Sequence, residues 1–179
     1  MLCDTLKPCL IEGTSWKEPK MGNRVNVIPR KHEDVKFFLI DDTNNKKCPL
    51  KSDLNIDRIC DLIVTLAYDN MSTKILCLVE LKGHKIKDAI EQIACVYKSL
   101  ITRCNRLENQ DIKWMAFISV PGSVHVKIRN QELEDHINRE CGIKNWNYHI
   151  CCKIQKTSGK DELGSFMRAG SLCESKIKL

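Results

Sequence analysis

The stretch from Ile59 to Ile101 constrains the fold more than any other, because its apolar spacing changes character in the middle. ICDLIVTLAY (Ile59 to Tyr68) and KILCLVELKG (Lys74 to Gly83) are strand-length apolar blocks rich in Ile, Val and Leu, and the DNMST between them is dense in turn-formers. Two adjacent antiparallel strands are expected. Beyond Gly83 the apolar period moves from two to 3.6, with Ile86, Ala89, Ile90, Ile93, Ala94, Tyr97, Leu100 and Ile101 on one stripe. That spacing predicts an amphipathic helix ending near Arg106, followed by a strand over IKWMAFISV (Ile112 to Val120) that Pro121 and Gly122 stop.

The flanks extend the same alternation. VKFFLI, from Val35, reads as a strand leading into a hairpin turn at Asp41 to Lys47, Asn130 to Glu140 as a helix closed by Gly142, and Trp146 to Ile154 as a last strand. The expected fold class is α/β, a mixed sheet of four or five strands flanked by helices. With 179 residues, one domain over 31–156 is expected, preceded by a loosely structured arm (1–30) and followed by a polar tail (157–179) for which no order is expected.

Strand 74–83 also carries the chemistry. Ile75, Cys77, Val79 and Leu81 share one face, while the other carries Leu76, Leu78, then Glu80 and Lys82, a carboxylate and an amine projecting from a strand that should be central. Burying such groups costs several kcal/mol, on the order of a lost core contact or more, unless they are paired or bind an ion. Asp61 lies eight residues before the Asp69–Thr73 turn and Glu80 seven after it, so a hairpin brings both carboxylates to one end of the sheet. Two carboxylates beside a lysine form a hard-oxygen site suited to Mg²⁺ or Mn²⁺, to which the Leu81 carbonyl could add a ligand. Lys82 would then orient water or stabilise developing negative charge.

Asp61, eighteen intervening residues (62–79) and Glu80-Leu81-Lys82 together resemble the PD-(D/E)XK nuclease superfamily, the restriction-endonuclease-like fold. The family's order of elements, a helix, a three-stranded meander carrying the motif, a helix and a fourth strand, is similar to the reading from about residue 30 to residue 155. Cys60 stands where the motif has proline, and Glu33 and Glu12 are the candidates for an extra upstream acidic ligand. The resemblance implies a metal-dependent nuclease with Asp61, Glu80 and Lys82 as its active-site trio. It also implies a contribution from Gln92 on the following helix, where Tyr97 reads as a core residue. His32 would be the N-terminal histidine that some members use to favour Mn²⁺.

The implied substrate is nucleic acid, with DNA favoured over RNA, in restriction, phage defence or repair. Two-strand cleavage by one site per chain would take a homodimer or sequential nicks. Two other readings stand beside it: a non-catalytic nucleic-acid- or protein-binding module of the same fold, and an RNA endonuclease. Lys85, Lys87 and Lys98 are candidate phosphate contacts. The net charge of +6 permits an anionic partner without requiring one. No apolar run approaches the roughly 20 residues that cross a bilayer, and no signal core follows Met1, so a cytoplasmic protein without membrane association is expected. Eleven cysteines without a CxxC pair read as reduced thiols packed as small hydrophobes rather than a zinc site or disulfide framework. No phosphate-binding glycine loop or G-x-S-x-G elbow is present, which leaves nucleotide hydrolysis and serine chemistry without support.

Overall fold

The computed structural model describes residues 6–19, 22–41, 48, 50–69, 71–81, 85–103, 112–121, 130–140 and 150–171. After a 3-10 turn (Lys7–Cys9) come β1 (Leu10–Ile11), β2 (Ser15–Lys17), β3 (Arg24–Asn26) and β4 (Glu33–Leu39). Helix α1 (Leu50–Leu54) leads to β5 (Leu62–Tyr68) and β6 (Lys74–Leu81), then α2 (Ile86–Arg103), β7 (Ile112–Val120), α3 (Asn130–Glu140), β8 (Cys151–Lys156) and α4 (Glu162–Ser171). The architecture is mixed α/β.

The main sheet has six strands in the order β1-β4-β5-β6-β7-β8, and β2 and β3 form a separate two-stranded ribbon. β4, β5 and β6 run antiparallel, with Leu39 opposite Leu62 and Leu62 opposite Val79. β6, β7 and β8 are parallel, each joined to the next by a crossover helix. β6 and β7 are covered on both faces, which explains why ILCLVEL and MAFISV are apolar without alternation. One face packs Leu76, Leu78, Ala116 and Ile118 under α2 and α3, through Ala89, Ile93, Tyr97, Leu133 and Ile137. The other packs Cys77, Val79, Met115 and Phe117 under Val25, Val27 and α4, through Leu163 and Met167.

The expected hairpin between residues 59–68 and 74–83 is present, as are helices after Gly83 and over 130–140, both on the same face. Three expectations need correction. The arm is not loose where it is described: Leu10 and Ile11 pair with Phe38 and Phe37, adding the sixth strand, and β2–β3 caps the second face. The tail carries α4, whose Leu163, Phe166 and Met167 recur at helical spacing on one side. The cysteines are not all reduced, because Cys9 and Cys48 form a disulfide across a separation of 39 residues. Cys60, Cys77, Cys95, Cys151 and Cys152 are free thiols, as expected. Of the turn expected at Asp41 to Lys47 only Asp41 lies among the described residues; β4 and β5 pair antiparallel, and the connector 40–61 between them contains α1.

Two side-chain clusters hold the periphery. Arg168 donates two bonds to Glu33 (Nε to Oε1 and Nη2 to Oε2, both 2.8 Å), one to Asp161 and one to the Ile28 carbonyl, tying α4 to the start of β4. At the outer edge of β8, the amides of Ile150, Cys152 and Ile154 donate to Asn138, Glu134 and Asn130. Four residues of helix rise about 6.0 Å and two of strand about 6.6 Å, so α3 running antiparallel to β8 offers one acceptor per outward amide. This closes an edge otherwise open to strand pairing.

Candidate functional site

Asp61 immediately precedes β5 and Glu80 is the penultimate residue of β6. The Leu62–Val79 pairing places the two residues opposite each other one step further on, where side chains replace the regular ladder. The Asp61 amide donates to Glu80 Oε2 (3.0 Å), and the Leu81 amide donates to Asp61 Oδ2 (2.7 Å). The Asp61 carbonyl accepts from the Ile40 and Asp41 amides at 3.0 and 3.4 Å, which ties the end of β4 to the same point. Each carboxylate is thus oriented by the other strand's backbone, a charge-assisted arrangement that offsets the cost of burying Glu80 at 1% exposure. Asp61 is half-buried.

Both carboxylates lie on the face covered by α2, as the alternation along β6 requires. Gln92, on the second turn of α2, donates from Nε2 to the Ile59 carbonyl at 2.8 Å. Its Oε1 is buried and lacks a hydrogen-bond partner among the described residues. Cys60 is fully buried beside the pair, and its thiol is pushed well above its ordinary range, first by burial and then by the negative charges of Glu80 and Asp61. That rules it out as a thiolate at neutral pH.

A cleft of about 290 Å³ adjoins the 59–61 segment, lined by Asp41, Lys51, Asp57, Arg58, Ile59, Asp88 and Gln92. Neither Asp61 nor Glu80 lines it. Arg58 is ion-paired with Glu91 at its rim. Of these residues, the sequence had singled out Gln92 for the site; apart from apolar Ile59, the others are charges that abut strand or helix ends. Asp41 follows VKFFLI, and Asp57 and Arg58 precede the ICDLIV block. Clustering of charges at the limits of apolar blocks is the signal that could have marked them.

Asp61, Glu80, Leu81 and Gln92 come together at one end of the sheet. Lys82 and His84 lie outside the described residues, as do His125 and His149. Glu33 is six residues from Leu39 along β4, about 20 Å from the pair at strand rise, and is engaged by Arg168. Glu12 is exposed beyond β1. His32, with a positive φ of 70°, bonds Asp69 Oδ2 at that far end. Neither acid nor the histidine joins the site, because the antiparallel run of β4 carries its start away from Asp61. Tyr97 is a core residue in edge-to-face contact with Trp114. Lys85, just before α2, and Lys87 and Lys98 on it are exposed.

Among the described residues, no group of three or more His, Cys, Asp or Glu side chains could hold a metal ion. Two adjacent carboxylates with the Leu81 carbonyl are a short set of hard oxygens, which fits Mg²⁺ or Mn²⁺, ions that keep several waters. The unpartnered Gln92 Oε1 adds a buried acceptor on the same face, suited to a water O–H or another polar donor rather than to apolar packing. No helix among the described residues is long and apolar enough to cross a membrane. No family model, curated protein or solved structure matches this chain.

Proposed function

We propose that the chain is a divalent-metal-dependent phosphodiesterase acting on nucleic acid, DNA before RNA, with a restriction-endonuclease-like fold. The observation that carries the reading is the mutual orientation of Asp61 and Glu80, two carboxylates held side by side at one end of a central hairpin by each other's backbone amides. The antiparallel run β4-β5-β6, then α2 and parallel β7, supports the fold reading because it follows the element order that the Asp61…Glu80-Leu81-Lys82 motif implies.

Asp61 and Glu80, with the Leu81 carbonyl, would hold Mg²⁺ or Mn²⁺. When bound, such an ion supplies Lewis-acid stabilisation of phosphate charge and makes water a better nucleophile near neutral pH. The chain's own residues do the rest. The amides of Asp61 and Leu81 fix the two carboxylates before substrate arrives, so little reorganisation accompanies reaction. Gln92 clamps the Ile59 carbonyl, which sets the position of the segment leading to Asp61, and its Oε1 can accept a hydrogen bond from water. Lys82, carried by the motif, would stabilise negative charge on the phosphate or orient that water, a role its ammonium can fill without ligating the ion.

A second reading draws on the same bonds: the pair closes the β5–β6 ladder with side chains in a non-catalytic binding module. Asn and Gln keep the carbonyl acceptors and separate the two. We expect Asp61→Asn and Glu80→Gln to fold normally, lose Mn²⁺ binding by calorimetry and lose cleavage of DNA and RNA oligonucleotides assayed side by side. Lys82→Ala should keep Mn²⁺ and lose cleavage. Full cleavage by Glu80→Gln would remove the nuclease reading, and absence of both Mn²⁺ binding and cleavage in the native chain would leave the binding module.

A further inference from the structure

One wall of the cleft is a single stretch of chain, and the other is Asp88 and Gln92 of α2. Asp41, Lys51, Asp57, Arg58 and Ile59 all belong to the connector 40–61, which runs from the end of β4 to Asp61. Its two ends are well anchored: Ile40 and Asp41 donate to the Asp61 carbonyl, and Ile59 accepts from Gln92. Between them, α1 has only five residues, too short to hold its form alone, and within it Leu50 is buried against the core. The covalent anchor of this middle part is the bond from Cys48, two residues before α1, to Cys9 in the 3-10 turn. Cys9 is fully buried, in one cluster with Ile40, Leu50, Ile59 and Cys60, while Cys48 is half-buried and packs against that cluster.

We infer that the Cys9–Cys48 disulfide is a redox latch on the cleft beside Asp61 and Glu80. A dithiol reductant passes two electrons and two protons to the two sulfurs, leaving Cys9 and Cys48 as thiols and itself as a cyclic disulfide. The middle of the connector then loses its covalent anchor and keeps non-covalent ones, among them Leu50 and Ile56 against the core and the Arg58–Glu91 ion pair, so the Lys51 and Asp57–Arg58 wall loosens while the sheet stays intact. A reducing compartment opens the latch and an oxidising one closes it.

The structural arm of the test does not depend on the phosphodiesterase reading, whereas the activity arm rests on it. Hydrogen exchange is followed by mass spectrometry on the full chain, oxidised and after dithiothreitol, beside Cys48→Ala and Cys9→Ser/Cys48→Ser. On reduction, amides in 50–61 should exchange roughly tenfold faster while β6 and β7 stay unchanged. Cys48→Ala should match the reduced chain and ignore reductant, and it serves alone if Ser at buried Cys9 prevents folding. Equal exchange in the two redox forms, or a response to reductant that survives in Cys48→Ala, overturns the latch. With the latch, cleavage should fall at least about tenfold on reduction, since small displacements of positioning groups cost that much. Faster exchange with no cleavage in either form upholds the latch and rejects the nuclease reading; unchanged cleavage despite faster exchange restricts the latch to the connector and overturns its control of the site.

Discussion

Arg168→Met should be among the most damaging single changes outside the proposed site. The side chains of Arg168 and Glu33 are 9% and 3% exposed, and the guanidinium makes two bonds to Glu33 and one each to Asp161 and the Ile28 carbonyl. Removing the arginine leaves a buried carboxylate without its cation, a situation that costs about 3–5 kcal/mol. With a urea m-value of about 2 kcal/mol/M, that lowers the unfolding midpoint by roughly 1.5–2.5 M. Glu33→Met/Arg168→Met should recover part of the loss, because neither charge is then stranded. Recovery stays incomplete, since Asp161 keeps only its bond to the Ile28 amide and the Ile28 carbonyl loses its donor. The pH dependence has a definite sign. The Arg168 guanidinium holds the Glu33 carboxyl below its usual range, so its contribution is complete above the unfolded glutamate pKa and is lost as pH falls through the lower folded value. Urea unfolding of the native chain and Glu33→Gln should therefore differ most above about pH 5 and converge in acid. A loss below about 1 kcal/mol in Arg168→Met, or strictly additive single and double variants, would refute the account.

Other outcomes follow from equally local geometry. Gly164→Ala ordinarily favours a helix by about 1 kcal/mol, but here the added methyl would land on the Asp161 carboxylate, so urea titration should show destabilisation instead. Glu134→Ala should cost about 1–3 kcal/mol by stranding the Cys152 amide, whereas Glu134→Gln, which keeps an acceptor, should cost far less; amide exchange at Cys152 reads the difference. If exposed Lys85, Lys87 and Lys98 grip phosphates, nucleic-acid affinity should fall steeply between about 50 and 200 mM salt, and a flat response would exclude them.

How far the residues alone lead depends on how local the information is. Local pattern marks β6, α2, β7 and α3, the strands as unbroken apolar runs buried on both faces and the helices as 3.6-spaced stripes, and neither signal needs a partner to be read. The pairing of Asp61 with Glu80 is legible for the same reason: a five-residue turn fixes the register of two neighbouring strands, and register fixes which side chains meet. α4 escapes such reading because glycines at 164 and 170 and polar neighbours dilute its apolar side, and β1 because two residues carry no period.

The residues themselves therefore determine the α/β class, the central hairpin and the opposition of two carboxylates on the face under α2. Tertiary structure alone decides what joins them. Glu33 reads as an upstream acid until the direction of β4 carries it to the far end of the sheet and Arg168, 135 residues away, takes it up. Cys9 and Cys48 read as core thiols until the fold brings them together across 39 residues. Asp41, Lys51 and Arg58 become one cleft only when the connector folds back on α2. Contacts between distant segments depend on strand direction and chain path, which no single segment encodes.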